Sequence, residues 1–169
     1  ADGFRELLEK TSVDHKAVTR FAHGTTVATN ALLQRKGGQL ALITTAGFRD
    51  LLEIGRQVRP KVYDLQIDAP PPLISRHQRF EINERIGSKG EVITPLDDAE
   101  IDKVIEEIKS LENNGSEKID GVAVCLLFSF LNPQHEQKIG AAIRKAMPGL
   151  SVSLSSEVHP EFREYERFS

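Results

Sequence analysis

The sequence has little cysteine, no long apolar run and no excess of basic charge, and each shortage narrows what the chain is built to do. A single cysteine, Cys125, among 169 residues rules out an internal disulfide, as expected of a reducing compartment. No apolar stretch approaches the roughly 20 residues of a membrane-spanning helix. No signal-peptide pattern stands at the start, so a cytoplasmic protein is expected. The net charge is -3, with lysines and arginines scattered among acids, which excludes a nucleic-acid-binding face. The phosphate loop G-x-x-x-x-G-K-[ST] is missing, which disfavours a P-loop nucleotidase. His15, His23, His77, His135 and His159 include no H-x-x-x-H or H-E-x-x-H spacing, so no metal site is expected from them. No serine sits in a G-x-S-x-G elbow, and there is no internal repeat.

What is present is a globular chain, 39% hydrophobic and 28% charged, long enough to bury a substantial core. Residues 4–9 read as a helix entered partway through a larger protein. After it the pattern alternates strand, turn and helix. Residues 18–23 are β-like and 40–45 form a compact β-branched run; between them lies a helix that Gly37-Gly38 can end. Residues 48–54 read as a short helix closing near Gly55. Pro60, Pro70, Pro71 and Pro72 remove amide donors from residues 59–74, predicting an extended excursion over a site.

Residues 79–86 and 91–94 flank Gly87-Ser88-Lys89-Gly90. This predicts a projecting hairpin with Phe80, Ile82 and Val92 on one face, so that 59–94 is excursion plus hairpin. Pro95 opens a helix in which Ile101, Val104, Ile105, Ile108 and Leu111 recur at helical spacing. Residues 121–128 form a uniformly apolar run suited to the centre of a parallel sheet. There Cys125 reads as a small core hydrophobe. Asn132-Pro133 opens a further helix, and Leu150, Val152 and Leu154 alternate with serines as one more strand. The resulting fold class is α/β: a mostly parallel or mixed sheet with flanking helices and a projecting hairpin. Ligands of such sheets gather beyond the carboxyl ends of the strands. The polar clusters at 23–26, 44–47, 129–132 and 155–157 each follow an inferred strand and are expected to share that rim.

The densest of these clusters runs His23-Gly24-Thr25-Thr26-Val27-Ala28-Thr29-Asn30. Gly24 permits a sharp turn into a helix whose first amides lack partners and favour an anion, most naturally a phosphate. Thr26, Thr29 and Asn30 share one face, while Val27 and Ala31 turn toward another and pack inward. The same residues also read as simple helix caps. His23 either orients the turn or moves a proton.

Four blocks together carry a family resemblance: residues 23–33, residues 42–57 (Leu-Ile-Thr-Thr-Ala-Gly-Phe-Arg-Asp-Leu-Leu-Glu-Ile-Gly-Arg-Gln), Asn132-Pro133-Gln134-His135-Glu136, and residues 153–167. In their order the chain resembles the amino-terminal region of the hydantoinase A and 5-oxoprolinase family, which also includes the ATP-using subunits of acetone and acetophenone carboxylases. The resemblance implies the architecture of the actin, sugar kinase and Hsp70 ATPases. It also implies an Asp-x-Gly-Gly-Thr-Phe-Thr-Asp phosphate motif before Ala1 and a larger domain after Ser169, so that residues 1–169 are a domain of a longer enzyme.

The implied activity is an ATP-dependent amidohydrolase with Mg²⁺. A cyclic-amide oxygen attacks the γ-phosphorus, and the phosphorylated imidate is then opened by water. Gly24, Thr25 and Thr26 are the implied phosphate-side groups, with Thr29 and Asn30 as further polar contacts. Arg56 and Arg59 flank the proline-rich excursion and suit a carboxylate or phosphate, although they read equally as helix-closing surface arginines. Glu157, Glu161 and Glu164 are candidates to position water, against the reading of a solvated, ion-paired helix. The implied partners are a small-molecule substrate, the carboxy-terminal domain of the same enzyme and a B-type subunit or domain. Two alternatives stand beside this: the ATP-using subunit of a ketone carboxylase, and a non-catalytic interaction module that binds only the rest of its own enzyme.

Overall fold

In the computed structural model, residues 10, 11, 14, 16, 18, 24–57, 71–113 and 118–169 are described. The chain forms two compact units, residues 1–37 and 38–169. The helix expected at 4–9 lies outside the described residues, as do all but Val18 of the strand expected at 18–23. The same holds for residues 59–70 of the proline-rich excursion. No helix among the described residues is long and apolar enough to cross a membrane.

In the first unit, α1 spans Val27–Leu33 and buries none of its residues; Val27 is 71% exposed. The expected inward packing of Val27 is therefore not found. Nor does the helix run on to Gly37-Gly38. It stops at Leu33 because Arg35 adopts φ 52°, letting Arg35 N–H donate to Leu32 O at 3.0 Å and Lys36 N–H to Ala31 O at 2.8 Å. A left-handed residue after the last turn closes a helix in this way, and the position ordinarily takes glycine. An arginine there costs roughly 1–2 kcal/mol of strain, against roughly 0.4–1 kcal/mol of unfolded-chain entropy that glycine adds. Arg35→Gly is therefore expected to stabilise α1 by about 0.5 kcal/mol, read as slower amide exchange of the last helical turn. Gly38 serves another purpose. A side chain there would run into Asp120, whose carboxylate accepts from Gln39 N–H at 3.0 Å.

The second unit is built on a four-stranded, wholly parallel sheet. Its strands are β1 (Gln39–Thr45), β2 (Arg79–Ile82), β5 (Ile119–Cys125) and β6 (Ser151–Leu154), in the order β2-β1-β5-β6. The two central strands, β1 and β5, hold the compact β-branched run at 40–45 and the start of the apolar run at 121–128, as strands covered on both faces require. Their register aligns Leu42 with Ala123 and Thr44 with Cys125. Two short elements follow these strands or flank them: α2 (Leu51–Ile54) and the hairpin strands β3 (Arg85–Ile86) and β4 (Val92–Thr94). Two longer helices, α3 (Asp98–Asn113) and α4 (Gln134–Ala146), cover one face of the sheet. There Ile101, Val104, Ile105 and Ile108 of α3 and Ile139 and Ile143 of α4 bury against Ala41, Ile43, Phe80, Ile82, Val122, Val124 and Leu154. The spacing of 3.6 on the helices and 2 on the strands produces this core directly. The opposite face carries a smaller cluster of Leu42, Ile74 and Cys125, with Leu52, Ala123 and Phe168 packed on it. Two last helices, α5 (Ser155–Val158) and α6 (Glu164–Phe168), follow β6.

The hairpin departs from expectation. Residues 79–82 belong to the main sheet, parallel to β1 with Thr45 opposite Ile82, and only β3 and β4 form the antiparallel pair. Phe80 and Ile82 are core residues, whereas Val92 is 42% exposed. Alternation marked 79–82 as a strand with one apolar face; it carried no information about which partner that face would meet. The described end of the proline-rich segment also has a definite place. Pro71, Pro72, Leu73 and Ile74 help line a cavity of about 330 Å³ with Leu40, Leu52, Tyr165 and Phe168.

Candidate functional site

The anion-binding segment expected at 24–30 is exposed throughout. Thr26 occupies the N-cap position of α1, yet its own side chain makes no cap hydrogen bond, and no acid stands in the first turn. The threonine hydroxyls are turned to local work: Thr25 Oγ1 accepts from Val27 N–H at 3.3 Å, and Asn30 Nδ2 donates to Thr26 Oγ1 at 3.3 Å. A first turn without an acid and without a cap from Thr26 suits an anion. His23 and Arg59 lie outside the described residues.

The remaining polar clusters gather at the carboxyl ends of the parallel strands of the second unit, as the topology requires. They form a buried network. At the end of β1, the Thr45 hydroxyl donates to Glu84 Oε1 at 2.5 Å and accepts from Leu127 N–H at 3.1 Å. Glu84 Oε2 is 2.7 Å from His135 Nδ1. Thr45, Glu84 and His135 are all buried, so this chain of hydrogen bonds is shielded from water. On the other side, Glu136 is fully buried. Its Oε1 accepts from Leu126 N–H at 2.9 Å and Ser155 Oγ at 2.6 Å, while its Oε2 accepts from Ser156 N–H at 2.9 Å and Ser156 Oγ at 2.6 Å. A buried carboxylate persists only when its lone pairs are satisfied, and here four donors meet it.

Arg167 of α6 closes the network. Its guanidinium donates to Leu126 O at 2.7 Å, Glu161 O at 2.8 Å and Ser155 Oγ at 3.2 Å, and pairs with Glu164. It also stands 5.4 Å from the centre of the Phe130 ring, within cation–π range. Phe128 takes φ 55°, and its amide donates to Glu164 Oε1 at 3.2 Å. Burial pushes the Glu164 carboxyl above the ordinary glutamate range, opposed by the Phe128 amide and by Arg167.

Of the three acids expected to position water, Glu164 is thus engaged in holding the loop after β5, Glu157 is exposed, and Glu161 presents its backbone carbonyl to Arg167. Arg56 forms an ion pair with Glu166 of α6. The sequence did not single out Glu84, while Thr45 fell in the rim cluster at 44–47 and Arg167 in the block at 153–167, neither with a role of its own. Its signal for His135 and Glu136 was the Asn-Pro-Gln-His-Glu block at 132–136. Among the described residues no group of three His, Cys, Asp or Glu side chains is placed to hold a metal ion.

Cys125 sits between these elements, 3% exposed, and burial pushes its thiol up to about 12. At pH 8 only about one molecule in 10⁴ carries the thiolate that reacts. Iodoacetamide is therefore expected to label Cys125 at least a hundredfold more slowly in the native protein than in urea. Mass spectrometry would register the difference.

Comparison with known proteins extends over nearly the whole chain. A model of the hydantoinase/oxoprolinase N-terminal region matches residues 1–147. An uncharacterized protein of Methanocaldococcus jannaschii is 39% identical over 99% of this chain and 24% of its own length. A 5-oxoprolinase of Dictyostelium discoideum is 32% identical over 98% of this chain and 15% of its own. The crystal structure of an ATP-dependent caprolactamase from Pseudomonas jessenii superimposes with a TM-score of 0.80 at 32% identity, covering 98% of this chain and 24% of that one. The chain thus spans about a quarter or less of the length of these relatives.

Proposed function

Because this chain belongs to the hydantoinase/oxoprolinase family through its N-terminal region, we propose that it forms part of a cytoplasmic, ATP-dependent enzyme that activates a cyclic amide by phosphoryl transfer and opens the ring. The observation that carries this reading is the likeness to the ATP-dependent caprolactamase, in which fold and sequence agree over nearly the whole chain. Bound ATP supplies the phosphoryl group that turns an amide oxygen into a leaving group.

Gly24, Thr25 and Thr26 are the residues proposed for its phosphates, with Thr29 and Asn30 beside them. The first turn of α1, free of acids and without a cap bond from Thr26, fits that role. Mg²⁺ belongs to the proposal as the nucleotide's counter-ion, since a metal cage is not offered by the described residues. Arg56 and Arg59 are proposed for an anionic substrate group; Arg56 would have to exchange Glu166 for it. Glu157 and Glu161 remain proposed for positioning water. Glu164 is proposed for the same task only through the Phe128 loop that it holds. The remaining length of the relatives points to further domains or subunits as partners.

The test is ADP release by the full-length gene product with Mg-ATP and, in turn, hydantoin, 5-oxoproline, caprolactam and acetophenone. At least a tenfold stimulation by one cyclic amide is expected. Stimulation by acetophenone with bicarbonate alone would transfer the protein to ketone carboxylation, and no stimulation in the presence of its partner subunits would remove the reading.

A further inference from the structure

The Asn-Pro-Gln-His-Glu motif at 132–136 has no assigned part in the reaction, yet the side chains of Asn132, His135 and Glu136 each reach a different piece of the rim. Asn132 Nδ2 donates to Gly90 O at 2.8 Å, fastening the β3–β4 hairpin, while its Oδ1 accepts from Gln134 N–H at 3.2 Å at the start of α4. His135 reaches Glu84, just after β2, and through Glu84 it reaches Thr45 at the end of β1. Glu136 reaches Leu126, just after β5, and Ser155 and Ser156, just after β6. One turn of helix is therefore bonded to the exits of all four parallel strands. His135 and Glu136 are consecutive, so on a helix they diverge by about 100°, which is what allows one to serve the β1–β2 side and the other the β5–β6 side.

We propose that His135 and Glu136 are positioning residues. Through Glu84 and Thr45 on one side and Ser155 and Ser156 on the other, they fix the relative placement of the loops at 46–47 and 126–131, where ligands of a parallel sheet gather. The proposal rests on the ATP-coupled reading for its effect on turnover. A residue that merely stabilised the fold would lower the melting temperature and leave turnover intact below it. A positioning residue shifts kcat in a protein that is still folded, because reacting groups displaced by about 1 Å lose rate on the order of a hundredfold.

The experiment compares His135→Leu, His135→Asn and Ile108→Ala in the full-length gene product. Asparagine keeps a donor close to the place of Nδ1, and Ile108 lies on the buried face of α3 in the core, outside the rim. His135→Leu is expected to lower kcat for substrate-stimulated ADP release at least tenfold with the nucleotide KM within threefold. His135→Asn should recover most of it, and Ile108→Ala should keep kcat at a temperature where it is folded. Amide exchange gives a readout that needs no activity. In His135→Leu the Leu127 amide, whose acceptor is Thr45 Oγ1, should exchange at least tenfold faster, while Ile43 and Val124 in the sheet centre keep wild-type rates. Unchanged kcat in folded His135→Leu, or an acceleration spread evenly over sheet and rim, overturns the proposal. If the wild-type protein releases no ADP, the ATP-coupled reading has failed, and the exchange pattern alone decides the positioning role.

Discussion

Glu136→Ala is expected to destabilise the second unit by about 3–5 kcal/mol, because buried amides lose their acceptor and the side chain's space is vacated. The carboxylate is wholly enclosed and takes four hydrogen bonds. The hydroxyls of Ser155 and Ser156 can rotate toward other acceptors, whereas the amides of Leu126 and Ser156 are fixed by the backbone. Each amide left buried without an acceptor costs about 1–3 kcal/mol, and the space vacated by the side chain adds to this. Against a typical total of about 5–15 kcal/mol, such a loss leaves a protein with little margin at 37 °C. Glu136→Gln should fall between Glu136→Ala and the wild-type protein. It keeps one acceptor but turns an amino group toward donors, which costs about half as much. Urea unfolding followed by circular dichroism would measure both. A loss below about 1 kcal/mol for the alanine variant would mean that water or a rearranged loop replaces the carboxylate.

Arg167→Met is expected to cost about 2–4 kcal/mol at neutral pH, with a smaller loss in acid. Methionine keeps much of the stem that packs beside Phe130 but offers no donors, so Leu126 O, Glu161 O and Ser155 Oγ lose theirs. Glu164 then loses its counter-charge while staying half-buried. The pH dependence follows from the direction of its shift. Burial already raises the Glu164 carboxyl above its ordinary value of about 4.3. Between the ordinary and the raised value the folded state holds the proton more tightly than the unfolded state. Stability from this group is therefore present in acid and declines as pH rises through the folded value. Removing Arg167 raises that value further, so the penalty should be greater at pH 8 than at pH 5. Equal losses at both would show that Glu164 does not depend on Arg167. The substitution should also be non-additive with Glu136→Ala, because both groups bond Ser155.

Much of the fold was legible in the sequence because its signals are local. The apolar runs that became β1 and β5 announce doubly covered strands, and the helical spacing of Ile101, Val104, Ile105 and Ile108 announces the face of α3 that is buried. Where the partner decides, local signals fail. The segment 79–82 pairs in parallel with a strand 37 positions earlier instead of folding back on its own hairpin, and nothing in its alternation specifies that. Arg35 ended α1 although two glycines stood nearby, since a left-handed turn tolerates arginine at modest cost. The candidate site was legible only in its location. The strand–turn rule placed polar clusters at the carboxyl rim, but Glu84 and Arg167 look like any solvated charge in sequence. Their burial depends on acceptors and donors brought from positions 45, 126, 135 and 155. The family block at 132–136 pointed to residues that the structure places in the rim network, without indicating what they do.

The rim bonds span long stretches of chain: Leu127 meets Thr45 across 82 residues, and Arg167 meets Leu126 across 41. Closing such loops costs entropy before any bond forms, so the sheet and its helices should be largely assembled before the rim locks. Interactions that arrive after the folding barrier govern how fast a protein comes apart, with little influence on how fast it forms. The polar ends of the strands then serve as the clasp of this domain. They set its lifetime in the folded state, while the apolar strands and helices set its rate of birth.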